Sequence, residues 1–511
     1  MYRKVGYVFG AAVGSFAVIC GFKNQYLKDS NDELQFIQAA NAQDVRKEIE
    51  NNERNVLLSP SVSAAGYEKQ NISLQNTIRK ARDLAYRKKD EVGAPGLVIG
   101  VSINGKIVWA EGLGMADVEN RVPCHPDTVM RIASISKSMT MAVVAKLWED
   151  GKLDLDKPVQ YYVPSFPEKT FNKEEVTITT RQLVSHLAGI RHYEKATSNN
   201  KNNRNNDKEI VSKEIKDKRN KTQANSAADR KDSSSTDQFE ADKEFYSKER
   251  FATVQDALKI FQDDDLMFKP GTSFLYSTHG WTLVSAVVEA AASEPFPDVM
   301  RKFFQVMGLK HTYLDVAEPL IYNRSRYYSR NGSGNLKNVP YVDNSCKWAG
   351  GGLLSTVGDL LLFGNAMLYS YQWRSELAMW SVQPGTTRNW GRGDGYGMGW
   401  VVVPSRQEYG GGDVQAFAVG HTGGAVGASS VLLVVPNKVS YPTAIPLDSE
   451  LAHHTPSVPN SLSVFSSLES VVPQSSDVCV PCGVTVAIIM NLEDVGLRRL
   501  AMDIAALFCE I

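Results

Sequence analysis

Ser134-Ile135-Ser136-Lys137 opens an apolar helical stretch and places a hydroxyl and an amine three residues apart on one helix face. At that spacing the Lys137 ammonium comes within hydrogen-bond reach of the Ser134 hydroxyl. A serine is a weak nucleophile until a neighbouring base takes its proton. Lys137 is such a base only where burial or a nearby cation lowers its pKa from about 10.4 toward neutrality. An isolated match also has a plain reading, a helix N-cap followed by a surface lysine. The rest of the chain decides between the two.

Two further signals follow in the order that a serine acyl-transfer site of this kind requires. Pro270-Gly271-Thr272-Ser273-Phe274-Leu275-Tyr276-Ser277-Thr278 is a turn running into an apolar, aromatic segment. Gly420-His421-Thr422-Gly423-Gly424 follows a short apolar run and precedes residues 428–435, a buried strand by pattern. Serine-reactive penicillin-binding proteins and β-lactamases carry three such elements: S-x-x-K, a Tyr- or Ser-centred motif, and K-T-G on an edge strand. Across most of residues 72–511 the chain resembles that family. Two segments narrow the match to class C-like relatives: Ile178-Thr179-Thr180-Arg181-Gln182-Leu183-Val184-Ser185-His186-Leu187-Ala188-Gly189-Ile190 and Ala349-Gly350-Gly351-Gly352-Leu353-Leu354-Ser355-Thr356. Asn120-Arg121-Val122-Pro123-Cys124, Tyr341-Val342-Asp343-Asn344-Ser345 and His421-Thr422-Gly423-Gly424-Ala425-Val426-Gly427-Ala428-Ser429-Ser430 resemble an animal mitochondrial branch of the family, whose members are filament-forming serine peptidase relatives.

The resemblance implies a β-lactamase/DD-peptidase-like fold and an acyl-enzyme mechanism. Ser134 is then the nucleophile, Lys137 or the Tyr276 phenolate takes its proton, and Tyr276 returns it to the leaving group. The backbone amides of Ser134 and Gly424 form the oxyanion hole, and His421 and Thr422 position the substrate from the opposite wall. Two departures stand out. His421 replaces the lysine of K-T-G, and a histidine is charged only when protonated, with an ordinary pKa of about 6.5. That argues against efficient β-lactam hydrolysis, not against acyl transfer. Thr278 replaces a common asparagine. No counterpart of the class A deacylating glutamate stands out, which fits a class C-like sharing of protons between Tyr276 and Lys137.

Composition agrees with an enzyme domain carrying attachments. A chain of 511 residues with 43% hydrophobic content can bury a large core, and a formal charge of −1 gives no reason to expect nucleic acid as a partner. Six cysteines are too sparse for a disulfide framework, and Cys479-Val480-Pro481-Cys482 has no second pair. His453-His454 lacks the other ligands a zinc site needs. No metal or other cofactor is expected.

Residues 1–28 are apolar between Arg3-Lys4 and Lys23, with no acid before Asp29. This is the pattern of a mitochondrial targeting segment or hydrophobic anchor, with a secretory signal as the rival. The resemblance favours the mitochondrial envelope, facing the intermembrane space, with possible inner-membrane association. Residues 29–71 read as a linker. From Ile72, apolar residues recur at helical spacing in a leading helix. Residues 97–103 and 106–110, joined by Asn104-Gly105, form a two-residue hairpin. Strands at 421 onward, 428–435 and 484–491, with a final helix at 495–508, complete an α+β plan. In it, N- and C-terminal segments share one antiparallel sheet, and a mostly helical region, 125–415, is inserted between them. The active site is expected at that junction.

Two insertions interrupt the plan. Residues 195–250, rich in Asn, Lys, Asp and Ser, are expected to be disordered, and 437–481 to form a long loop excursion. His186, between Leu183 and Leu187, reads as a structural helix residue, and Ser136 as an ordinary one. Three functional classes follow. The first is a serine peptidase or esterase acting on peptide or ester substrates. The second is a homo-oligomer or filament that organises a membrane compartment, and the third an inactive substrate-binding relative. For the first, the resemblance adds a role in lipid metabolism.

Overall fold

Asn104 and Gly105 both take positive φ, 49° and 79°, as a two-residue type I′ turn demands. They join β1 (Gly96–Ile103) to β2 (Lys106–Asp117), and β3 (Val122–Pro123) closes that edge of the sheet. The chain then leaves the sheet and returns at β4 (Gly395–Tyr396), β5 (Val401–Val403), β6 (Ala418–Ala425), β7 (Ala428–Pro436) and β8 (Gly483–Met490). The strand order is β4-β5-β6-β7-β8-β1-β2-β3, every neighbouring pair antiparallel. Sequence-distant ends thus meet at the centre, where Ile99 of β1 faces Ile488 of β8. The computed structural model describes residues 64–193, 244–370, 379–386, 394–407, 414–415, 417–436 and 483–511. The expected targeting segment, most of the linker, residues 195–243, the 437–481 excursion with its two histidines, and Cys20, Cys479 and Cys482 lie outside these residues.

Successive side chains of a strand point to opposite faces, and both faces of this sheet are covered. Leu97, Ile99, Val431, Leu433, Val486 and Ile488 pack with α1 (Ala64–Val92) and α7 (Arg498–Cys509), where Trp109 stacks on Phe508. Val98, Leu432, Val434, Ala487 and Ile489 face the inserted helices. Those helices include α2 (Ile135–Glu149), α3 (Thr180–Val184), α4 (Thr278–Ala292), α5 (Trp348–Gly351) and α6 (Val357–Ser370). Two-sided burial explains why the strands at 428 and 484 read as continuous apolar runs rather than as alternation.

Three boundaries differ from expectation. The leading helix begins at Ala64, inside the stretch expected as linker. The helix is anchored on the core from Leu74 onward, and adding residues to an existing helix costs little per residue. Residues 244–250, expected within the disordered insertion, are placed: Glu244 pairs with Arg191, and Arg250 with Glu318. The helix expected to carry His186 stops at Val184, and His186 sits in the left-handed region at φ 62°. Among the described residues no helix is long and apolar enough to cross a membrane. The central register makes one outcome measurable. Ile488→Ala opens a cavity between the sheet and the α1 and α7 helices and lowers stability by about 2–5 kcal/mol, read as a lower urea midpoint at unchanged slope.

Candidate active site

The nucleophile turn is braced both by the first turn of its own helix and by distant segments. Ala133, just before Ser134, holds φ at 49°, a conformation uncommon for a residue with a Cβ. Ser136 Oγ donates to Ala133 O at 2.6 Å and accepts from Leu353 N–H at 3.3 Å, while Ser430 Oγ donates to Ile132 O at 2.7 Å. Ser136, read from sequence as ordinary, is therefore a brace of the turn. β6 approaches the same turn so closely that a Cβ on Gly423 would meet Ile132 O at 2.4 Å and Ser430 Oγ at 2.2 Å. Only a glycine lets the strand edge lie there.

Ser134 caps α2 without a side-chain capping bond, so its hydroxyl is not committed to the helix. Lys137, one turn on, is 0% exposed, which excludes the surface-lysine reading. Its Nζ lies 3.2 Å from Ser134 Oγ and 3.5 Å from Thr278 Oγ1, and it donates to Gly350 O. The same nitrogen lies 4.8 Å from the centre of the Tyr276 ring. Burial, reinforced by the charge of Lys347, holds the Lys137 pKa well below the usual lysine range. Burial raises the Tyr276 phenol above its ordinary value, opposed in part by a hydrogen bond with Ser134. Burial thus favours the uncharged form of both groups, an amine able to accept a proton and a phenol that keeps its own.

Tyr276 is fixed through the backbone that follows it. Ser277 N–H donates to His186 Nδ1 at 3.1 Å, Thr278 N–H donates to His192 Nδ1 at 3.3 Å, and Ser277 Oγ donates to Arg191 O at 2.6 Å. A ring nitrogen that accepts from an amide must be unprotonated. Burial and the charge of Lys137 keep His186 well below its ordinary pKa and push His192 down to about 3. His192 escaped the sequence reading. Its signal was weak, a histidine at the edge of a polar, low-complexity stretch.

His421 stands on β6, buried, between Tyr396 Oη (2.9 Å from Nε2) and the Thr422 carbonyl (2.7 Å from Nδ1). One tautomer satisfies both contacts: Nδ1–H donates to the carbonyl and Nε2 accepts from the phenol. Burial and Lys137 push its pKa down to about 3. The conditional cation that its place in the H-T-G motif allowed is therefore a neutral, internally satisfied wall. Thr422 and Gly424 flank it on the rim, and a cavity of about 360 Å³ is bordered by Ser134, Tyr276, Thr278, His421, Thr422 and Gly424. All six residues singled out from the sequence converge here, Lys137 directly behind the wall.

A β-lactamase family model matches residues 74–505. The chain belongs to the β-lactamase family. It is 46% identical over 475 residues to the mitochondrial serine β-lactamase-like protein LACTB of Mus musculus, covering 84% of this chain and 80% of that one. Among solved structures, the octameric penicillin-binding protein homologue from Pyrococcus abyssi shares the fold at a TM-score of 0.57 and 20% identity, over 85% of this chain and 77% of that one. A class C β-lactamase from Rhodobacter sphaeroides does so at 0.53 and 16%, over 84% and 98%. The α+β expectation and the family resemblance are both borne out.

Two outcomes follow for this β-lactamase-family site. Gly423→Ala pushes β6 off the nucleophile turn, and a displacement of about 1 Å costs on the order of 10²-fold in reactivity; rates of fluorophosphonate labelling measure the loss. His192 and His421 stay neutral when folded but titrate near pH 6.5 when unfolded. The unfolded state therefore binds more protons below that pH, and stability falls as pH drops from about 6.5 toward 3. In thermal melts across that window, His421→Gln flattens the slope.

Proposed function

We propose that the protein is a serine hydrolase that works through a covalent acyl-enzyme, with Ser134 as nucleophile and Lys137 as its base. The observation that carries this reading is a fully buried amine 3.2 Å from a serine hydroxyl that opens onto a cavity. An uncharged amine has two N–H donors and one lone pair. Gly350 O and Thr278 Oγ1 receive the donors, and the lone pair faces the Ser134 hydroxyl.

Ser134 Oγ attacks a substrate carbonyl carbon while its proton passes to Lys137 Nζ. The carbonyl electrons move to oxygen, where the Ser134 and Gly424 amides stabilise the charge. Removing one such donor costs about 10²–10³ in kcat. The intermediate collapses, the bond to the leaving group breaks, and Tyr276 hands the leaving group a proton replaced from Lys137. Water then attacks the acyl-serine along the same route. His421 and Thr422 shape the opposite wall, with His421 acting through form rather than charge.

At a finer level, we assign peptide substrates ahead of simple esters. We place the protein in the mitochondrion, in the intermembrane space, with a role in lipid metabolism and membrane organisation through self-assembly. Support for the location is the acid-poor, basic character of residues 1–28 and the mitochondrial name of the mouse relative. Support for self-assembly is the octameric description of the Pyrococcus homologue.

Ser134→Ala abolishes fluorophosphonate labelling, and Lys137→Ala lowers kcat/KM by about 10²–10⁴ on a panel of peptide and ester substrates. Labelling that survives Ser134→Ala contradicts the assignment. Electron microscopy of the same sample shows whether it assembles.

A further inference from the structure

Glu244 is the first described residue after the polar insertion, and its carboxylate takes no part in the mechanism above. It grips Arg191 with both oxygens: Oε2 accepts from Nη1 at 2.8 Å and Oε1 from Nη2 at 2.9 Å. Arg191 is 4% exposed. Its Nε donates to Asp264 at 2.5 Å, Nη1 also to His192 O at 2.8 Å, and Nη2 also to Ile260 O at 3.2 Å. A guanidinium has five N–H donors, so none remains for the His279 ring. His279 Nε2 lies 3.2 Å from Arg191 Nη1 and 2.9 Å from Glu244 Oε2. His279 therefore carries its hydrogen on Nε2 and donates it to Glu244. One carboxylate thus ties the Arg191 loop to the first turn of α4.

The same two segments meet again closer to the nucleophile. Ser277 caps α4, its Oγ accepting from Gly280 N–H at 3.1 Å while donating to Arg191 O at 2.6 Å. Thr278 N–H donates to His192 Nδ1 at 3.3 Å. Tyr276 is the residue before that cap, and its ring centre lies 4.8 Å from Lys137 Nζ. Where the Arg191 loop stands against α4 therefore sets where the phenol stands over the site. Glu244 itself stands outside the cavity, whose border includes the next residue, Phe245.

We propose that Glu244 is a positioning residue for proton transfer to the leaving group: by holding the Arg191 loop against α4, it keeps the Tyr276 phenol within reach of that group. This rests on the reading of Tyr276 as the leaving group's proton donor. The phenol O–H proton goes to the departing atom as its bond to the acyl carbon breaks, and Lys137 replaces it. Removing one partner of a buried pair frees the other to move. A phenol displaced in this way slows only those leaving groups that need a proton. An aniline nitrogen leaves poorly without one, whereas 4-nitrophenolate departs as the anion.

The test compares kcat/KM for a peptidyl anilide and the 4-nitrophenyl ester of the same peptide, each against a Ser134→Ala blank. Because the two substrates share an acyl group, changes in the fraction folded or in acyl-group binding cancel in the anilide-to-ester ratio. Tyr276→Phe, the reference, lowers that ratio by about 10²–10⁴, the range a lost proton donor costs. Glu244→Ala lowers it by about tenfold, as a donor displaced by less than about 1 Å loses part of that range. Glu244→Gln keeps one acceptor oxygen and falls between Glu244→Ala and the wild type. Arg191 retains Asp264 in both Glu244 variants, so its charge is not left alone. An unchanged ratio in both variants overturns the proposal, whether the two substrates slow together or neither does. Thermal melts run alongside, and failure of both variants to fold overturns it in favour of a purely structural role. A ratio that Tyr276→Phe leaves unmoved sinks the parent reading of the phenol. A ratio that falls in Tyr276→Phe but in neither Glu244 variant sinks this inference alone.

Discussion

Everything at this site depends on an ammonium being refused water. Stripping a lysine of its hydration costs several kcal/mol unless a partner compensates, and among the described residues no carboxylate pairs with Lys137. Burial is the main reason its pKa lies well below the usual lysine range, with a smaller contribution from Lys347. The least costly state is the free amine, the form that can take a proton from Ser134. The fold thus converts a packing constraint into basicity.

That constraint explains why so many elements meet at one point. α2 and its cap bring Lys137 and Ser134, the loop before α4 brings Tyr276, the first residue of α4 is Thr278, and α5 brings the Gly350 carbonyl. β6 brings the glycine-lined edge that lets the cavity close against the nucleophile turn. β6 is held in register by β7, with Gly423 opposite Ser430, and Ser430 in turn anchors Ile132. The two-faced sheet is the reason the arrangement is rigid. Its centre, β8 against β1 and β7, is buried along nearly its whole length.

Much of this was legible in the chain. Asn104-Gly105 announced the hairpin because few other pairs accept two positive φ values. The three motifs named the residues that converge, since an S-x-x-K acyl-transfer site needs its serine hydroxyl, lysine amine and tyrosine phenol in reach of one another. What stayed hidden was relational. That His421 is a neutral wall depends on Tyr396, 25 positions earlier. That His192 accepts from Thr278 N–H depends on a fold that returns across the insertion. Ser136 looked like filler because its hydroxyl works on the Ala133 carbonyl and the Leu353 amide, and a sequence does not show the second of these contacts. The helix start at Ala64 and the placement of Glu244 were missed because local composition there is polar, while tertiary pairing decides the outcome.

The most direct test is a titration of the Lys137 side chain itself. Protein labelled with ¹³C at lysine Cε, with the signal assigned by its loss in Lys137→Arg, reports the charge of that one amine as pH varies. The account predicts an amine already uncharged at neutral pH, protonating only on acidification. A Lys137 signal that remains that of an ammonium until near pH 10 contradicts it.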